Sequence, residues 1–184
     1  LMSGMGRINY AYKGRYLFQA SLRTDGSSRL AEGNKWTSFP GVSVGWRIKE
    51  EGFMSGINVI SDLKLRASFG QVGNTSIDPY KTQGVLAKSL YSWNKTGGAQ
   101  GFALSEIPSP GLGWEKMSTT HIGIDFGLFD GRLSGTFDVY QTNTTGLLLR
   151  RNVPPSTGYG FAFQNVGETQ TRGLELTLSA NILR

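Results

Sequence analysis

The sequence predicts an all-β chain, about seven long antiparallel strands laid up and down as the wall of a transmembrane β-barrel. Three observations carry the prediction. Apolar and polar residues alternate with a period of two over stretches of about ten residues. No stretch shows a competing helical period. The links between the strands are alternately short and long, as they are in barrels with tight turns on one side of a membrane and extended loops on the other.

The first two strands, 5–11 and 15–24, place Ile8 and Tyr10, then Tyr16, Phe18, Ala20 and Leu22, on one parity. A two-residue turn at Lys13-Gly14 would set Tyr10 against Leu17 and mix the faces. A three-residue loop, Tyr12-Lys13-Gly14 with the glycine left-handed, is expected instead; it pairs Tyr10 with Tyr16 and Ile8 with Phe18. The third strand, 41–49, carries Val42, Val44, Trp46 and Ile48. In the fourth, 62–72, Leu63, Leu65, Ala67 and Phe69 alternate with Lys64, Arg66, Ser68 and Gly70. Strands 119–128 and 132–142 meet at Asp130-Gly131, a strong hairpin signal. That turn sets Leu128 against Leu133, Ile124 against Phe137 and Ile122 against Val139. The last strand, 171–182, repeats Leu174, Leu176, Leu178, Ala180 and Ile182. The opposite parity holds Arg47, Lys64, Arg66, His121, Asp125, Asp138 and Glu175.

A soluble sandwich also alternates and also lacks helices. Strands of about nine to eleven residues match a tilted crossing of hydrocarbon, whereas soluble strands average about five or six. The links at 25–39, 73–118 and 143–170 are long, and those between them are short or of middle length. Tyr10, Tyr12, Tyr16 and Trp46 cluster at the short-turn ends, where an aromatic girdle would lie. Arg66, Asp125, Asp138 and Glu175 are therefore expected to face a wet lumen, and the apolar set lipid.

Composition excludes other classes. The chain has 184 residues, 38% hydrophobic and 17% charged, with 26 glycines of no fixed period and 6 prolines, which suits one folded unit and not a linker. It holds no run of about 18 apolar residues, so no helix is expected to cross a bilayer. The opening "LMSGMGRINY" lacks a charged segment followed by an apolar one, so no signal peptide is expected there. Cysteine is absent and leaves the redox compartment open. The net charge of +6 comes from basic residues scattered along the chain, densest at Arg150 and Arg151, and no nucleic-acid partner is expected.

Four blocks carry a resemblance: "RTDGSSRLAEGNKWTSFPGVSVGWRIKEEGF" at 23–53, "LKLRASFGQVGN" from Leu63, "LGWEKMSTTHIGIDFGLFDGRLSGTFDVYQTNTTGLLL" from Leu112, and "NVGETQTRGLELTLSA" from Asn165. In this order they resemble the barrel of SusC/RagA-type TonB-dependent outer-membrane transporters. Leu30 stands where that family usually has Phe, and Gly41 where Ser is common. The resemblance implies a 22-stranded barrel in the bacterial outer membrane, importing glycans or oligopeptides. It also implies a SusD-like surface lipoprotein as lid and the TonB complex as energy source. Residues 1–184 are then part of the barrel domain, with the plug domain and TonB box outside them. The terminal "NILR" lacks the closing aromatic residue of complete barrels, which fits an internal segment.

Motifs for chemistry are sparse. His121 is the sole histidine, so a triad or metal site would have to be built around it; it reads as a polar lumen residue. Asp125 and Asp138 fall as diagonal neighbours roughly 7 Å apart, a spacing that invites a glycosidase comparison, but carboxylates balanced by arginines are the better reading. Gly158-Tyr159-Gly160 completes no phosphate loop, and sequons at Asn74, Asn94 and Asn143 mark polar loops. No catalytic residue, metal or cofactor is expected, and the chain is not expected to be an enzyme. Substrate or partner contact is expected instead from the longest link, where Tyr80, Tyr91 and Trp93 lie among Lys81, Lys88 and Lys95. The alternative is that these rings pack the loop against its neighbours or against the lid protein.

Overall fold

The structure is a computed structural model and describes residues 1–94 and 97–181. Its strands are β1 (Met2–Tyr12), β2 (Tyr16–Gly26), β3 (Trp36–Arg47), β4 (Ile60–Asn74), β5 (Leu86–Asn94), β6 (Gly97–Leu104), β7 (Glu115–Leu128), β8 (Leu133–Thr145), β9 (Leu148–Asn152), β10 (Phe161–Asn165) and β11 (Glu168–Ala180). Seven of them form one antiparallel sheet in the order β1-β2-β3-β4-β7-β8-β11, each beside its neighbour in the meander. The other four pair within the long links as the hairpins β5-β6 and β9-β10. Among the described residues no helix is long and apolar enough to cross a membrane.

The alternation becomes two faces through the register. Tyr12, Tyr16, Trp46, Leu65, Ile124, Phe137 and Leu176 are successive partners in one row across the sheet. All lie on the apolar face. The β1–β2 turn follows directly below this row, whereas the β7–β8 turn lies four residues further down, beyond Leu128 and Leu133. Such a stagger is what tilted strands in a barrel wall produce.

At the β7–β8 turn the expected register is the observed one, with Asp130 (φ 52°) and Gly131 (φ 79°) both left-handed. The first hairpin differs from expectation. Its three-residue loop is Lys13-Gly14-Arg15, so Tyr12 pairs with Tyr16, Tyr10 with Phe18, and Ile8 with Ala20. Lys13 (φ 51°) and Gly14 (φ 67°) are both left-handed, and the Arg15 N–H donates to the Tyr12 carbonyl at 3.0 Å. That closure keeps Tyr12 in the ladder, where its ring stacks on Tyr16 at 6.3 Å between centroids. The parity of the faces is unchanged.

The strands also run further toward the long links than the alternation indicates. β3 begins at Trp36, β4 ends at Asn74, β7 begins at Glu115, β8 ends at Thr145 and β11 begins at Glu168. Phe39, Val72 and Met117 fall there on the otherwise polar parity, so the period of two fades while the ladder continues. The β3–β4 ladder stops at Gly41 opposite Gly70, one residue after Pro40, which has no N–H to give a neighbour. Above that point β3 pairs only with β2, and β4 only with β7. Residue 182, the last of the expected seventh strand, lies outside the described residues.

Candidate functional site

Two regions gather polar or aromatic groups beyond what the strands need. The first is the polar face of the sheet. Arg66 on β4 pairs in register with Gly123 on β7, which pairs with Asp138 on β8. The Arg66 Nε donates to Asp125 Oδ1 at 2.9 Å, and its Nη2 reaches across β7 to Asp138 Oδ1, also at 2.9 Å. The crossing depends on Gly123, because a Cβ there would strike Asp138 Oδ1 and stand 3.0 Å from Arg66 Nη2. His121 Nε2 lies 2.9 Å from the same Asp138 oxygen, and Lys64 Nζ lies 3.8 Å from Asp125 Oδ2.

These groups are partly exposed, with side-chain accessibilities of 15–33% for Arg66, Asp125, Asp138 and His121. Each pair therefore contributes about 1 kcal/mol or less after solvent screening. Both aspartates are engaged by one guanidinium, so neither is set apart as the acid or base that a hydrolytic pair requires. Glu175 is the direct partner of Asp138 on β11 and shares its face. Arg47, the register partner of Lys64, joins Lys64 and Arg66 on this face and offsets Asp125, Asp138 and Glu175. The sequence brought the four expected residues to one face; it did not reveal Gly123 as the opening between them, nor the place of His121 and Lys64 in the ladder.

The second region is the cap built from the long links. Leu30, Phe39, Ile77, Leu112 and Trp114 form a buried cluster, with Leu148 and Phe163 packed against it. Phe39 and Trp114 meet edge to face at 5.5 Å. A Cβ on Gly73 would run into both rings, so this glycine admits them where β3 and β4 part. Asn165 ties two links together: its Nδ2 donates to the carbonyls of Gly113 (3.0 Å) and Gly146 (2.9 Å), and its Oδ1 accepts the Gly113 N–H at 2.7 Å. Trp114 Nε1 donates to the Lys35 carbonyl at 3.1 Å, and Arg29 Nη1 to that of Ile77 at 3.1 Å. Leu30, where Phe is usual in the resembling family, is only 2% exposed.

On this base stand the aromatic residues expected to make contacts. Tyr80 is 70% exposed in a turn, with φ 69°. Tyr91 is 60% exposed on β5, five residues beyond Leu86 at the hairpin's base, or about 17 Å at ~3.4 Å per residue. Tyr80 lies in the link ahead of the hairpin and Tyr91 well along its first strand. Trp93 lies in β5 at the irregularity between Ser92 and Asn94; its side chain lies outside the described residues, as does Lys95. Lys81 is engaged by Glu106 at 2.6 Å, with its Nζ 5.5 Å from the centre of the Phe163 ring. It fastens the hairpin base to β10. A basic and aromatic pair that sequence reading missed stands on the other hairpin, where the Arg150 guanidinium lies 3.3 Å from the centre of the Phe161 ring.

Comparison with known proteins adds to this geometry. The family described as TonB dependent receptor-like, beta-barrel matches residues 3–184. The chain is 38% identical to TonB-dependent receptor P26 of Formosa agariphila over 186 residues, covering 100% of this chain and 18% of that protein. It is 36% identical to TonB-dependent receptor SusC of Bacteroides thetaiotaomicron over 188 residues, covering 98% and 18%. Among solved structures it is similar to the RagAB peptide importer in the closed-closed state, with TM-score 0.89 and 31% identity over 99% of this chain and 20% of that one. The siderophore receptor PirA from Pseudomonas aeruginosa shares the fold at TM-score 0.67 and 13% identity, covering 98% of this chain and 31% of that one. The chain spans less than a fifth of the length of these curated relatives.

Proposed function

The chain belongs to the TonB-dependent receptor β-barrel family, as a segment of the SusC/RagA type, and from that premise we propose that it forms one arc of the outer-membrane wall of a nutrient importer. In this reading the whole protein takes up large solutes, glycans or oligopeptides. TonB supplies the energy, and a SusD-like surface lipoprotein closes the mouth. The plug, the TonB box and the remaining strands belong to other parts of that protein. The much longer proteins that it resembles are named as receptors and an importer, which supports a transport role over catalysis.

One observation carries the reading: the apolar face is exposed while the polar face is knit by ion pairs. On interior strands of the sheet Val44, Ile122 and Phe137 are 50%, 52% and 40% exposed, a distribution that a water-facing sheet would not sustain. A self-contained sandwich would need a second sheet over that face, and among the described residues the small hairpins belong to the links instead. In the full-length protein in bilayers, spin labels at Leu65, Ile124 and Leu176 should be relaxed by lipid-soluble oxygen, and labels at Arg66 and Asp125 should not. Equal relaxation at both sets would end the proposal. Tyr80, Tyr91 and Trp93 are proposed to meet solute or lid from the long-link side, and the Tyr91→Ala, Trp93→Ala double variant should weaken uptake or lid association without impairing barrel assembly.

A further inference from the structure

In the cap, β10 has one paired edge and one open edge. The Val153 N–H donates to the Gly160 carbonyl at 3.2 Å and the Val166 N–H to that of Leu147 at 2.9 Å, both in the register of the β9–β10 ladder. Bonded and non-bonded pairs alternate along an antiparallel ladder, so Ala162 and Gln164 turn their backbone groups toward β9. Phe161, Phe163 and Asn165 turn theirs the other way, and among the described residues no strand pairs with that edge.

Along the open edge runs a groove of about 410 Å³, lined by residues 162–166 on one side and 107–112 on the other. Successive side chains of a strand alternate between its two faces, so five in a row line one groove only where it follows an edge. The facing segment does not close the gap, because Pro108 and Pro110 have no N–H to offer a strand. Asn165 shuts one end, its side chain bonded to both the N–H and the carbonyl of Gly113. Inside, the Ser109 hydroxyl has no hydrogen-bond partner among the described residues, although Ser109 is only 9% exposed. No fully enclosed side-chain atom among those residues lacks a partner, so this hydroxyl keeps its access through the groove it lines. Gln164 Oε1 is held by Arg151 Nη1 at 3.3 Å, which leaves its Nε2 as a donor.

We propose that this groove takes an extended oligopeptide as an added strand on β10, so that the solute of the importer is a peptide and not a glycan. An open edge pairs with a peptide backbone through alternate residues, here Phe161, Phe163 and Asn165, spaced about 7 Å apart at ~3.4 Å per residue. Ser109 and Gln164 add polar partners beside that row, and Ile107 and Val166 offer apolar contact to the side chains of the added strand. An exposed ring face, on which a sugar would stack, is missing from the lining. Its one aromatic residue, Phe163, packs against the buried cluster of the cap. The inference rests on the importer reading above, since it takes the occupant of the groove as the solute.

The test measures, by fluorescence anisotropy, the binding of a labelled, end-capped heptapeptide of alternating threonine and alanine to the full-length protein in detergent. The wild type should bind the peptide, and a linear glucan heptasaccharide should not displace it. N-methylation of one alternate set of its residues should weaken binding on the order of tenfold, because each methyl removes a donor that meets the strand. N-methylation of the other set should change it little. Ser109→Ala should weaken binding about threefold, and Ser156→Ala, in the turn between β9 and β10, should match the wild type. Absence of peptide binding, an equal effect of the two methylated sets, or displacement by the glucan would overturn the proposal. The methylated peptides decide it on the unaltered protein should Ser109→Ala assemble poorly. A spin label at Ile124 that oxygen relaxes in bilayers, together with no peptide binding, would sink this inference and leave the importer reading standing; a shielded label would sink both.

Discussion

Leu112 and Leu174 are the same side chain in two regions of one molecule, the first 1% exposed in a buried cluster and the second on the uncovered apolar face. The first lies in the cap, the second on the wall. In most globular folds the sheet supplies the core and the loops lie outside it; here the sheet leaves its oily face uncovered and the loops build the dry cluster. On the proposed membrane reading the difference follows from two solvents. Loops in water must bury their own apolar groups, whereas a strand in hydrocarbon has its backbone bonds satisfied by the ladder and its side chains satisfied by lipid.

One substitution made in both regions tests this division most severely. Leu112→Ala should open a cavity that the packed cap cannot refill, costing about 2–5 kcal/mol of local stability. Limited proteolysis of residues 75–114 in the full-length protein should accelerate in detergent and in bilayers alike. Leu174→Ala leaves no cavity in the protein and should not alter cleavage of those links; its cost, about 0.8 kcal/mol per lost methylene, should appear only in the stability of the membrane-inserted barrel. Equal opening of the cap by both variants would mean that wall and cap share one core.

Within the wall, the polar face is sharpened by glycine. Gly123→Ala places a methyl against Asp138 and Arg66 and should cost about 1–3 kcal/mol through overpacking, measured as the unfolding midpoint of the detergent-solubilised full-length barrel. Gly70, on the same face, has nothing within 4 Å of where its Cβ would stand. Gly70→Ala should change the midpoint little. If the two variants behave alike, the crossing of Arg66 over β7 has no energetic weight.

The wall was far more legible in the sequence than the cap, for a physical reason. A side chain in the wall has one of two environments, and a period of two encodes the choice, so Leu65, Ile124, Phe137 and Leu176 announce a face and Arg66, Asp125, Asp138 and Glu175 its reverse. The β7–β8 register followed from the same logic, because a slip by one residue would have turned every side chain over. The β1–β2 loop was misplaced by one residue because a shift that preserves parity leaves the pattern unchanged. In the cap, contacts are non-local: Leu30 comes from one link and Ile77 and Leu112 from opposite ends of another, and β5, β6, β9 and β10 carry no clean alternation. Asn165, which bonds to Gly113 and Gly146, looks in the sequence like any other loop asparagine.

The smallest expected effect separates the regions by acidity, through two indoles. Trp46, at the turn end of the wall, donates to Glu51 Oε1 at 3.1 Å; the same oxygen accepts the Tyr16 hydroxyl at 2.7 Å, and Arg15 Nη1 reaches Oε2 at 3.1 Å. Glu51 lies in the connection between β3 and β4. The hydrogen bond from Tyr16, then that from Trp46, hold this carboxyl below its ordinary value of 4.5 against an opposing desolvation, with Arg15 adding a lesser contribution. A carboxyl whose folded value is depressed stabilises the fold fully above its unfolded value and loses that contribution as pH falls through the folded one. Acid should therefore release the Trp46 indole. Trp114, in the cap, donates to a backbone carbonyl that does not titrate. Fluorotryptophan NMR of the full-length protein should show the Trp46 resonance moving as pH drops below the ordinary carboxyl value while the Trp114 resonance stays in place. Glu51→Gln should remove the movement, since an amide still accepts a bond but carries no charge to lose. A Trp46 resonance that moves identically in Glu51→Gln would assign the acid response to another group and detach Glu51 from the clamp.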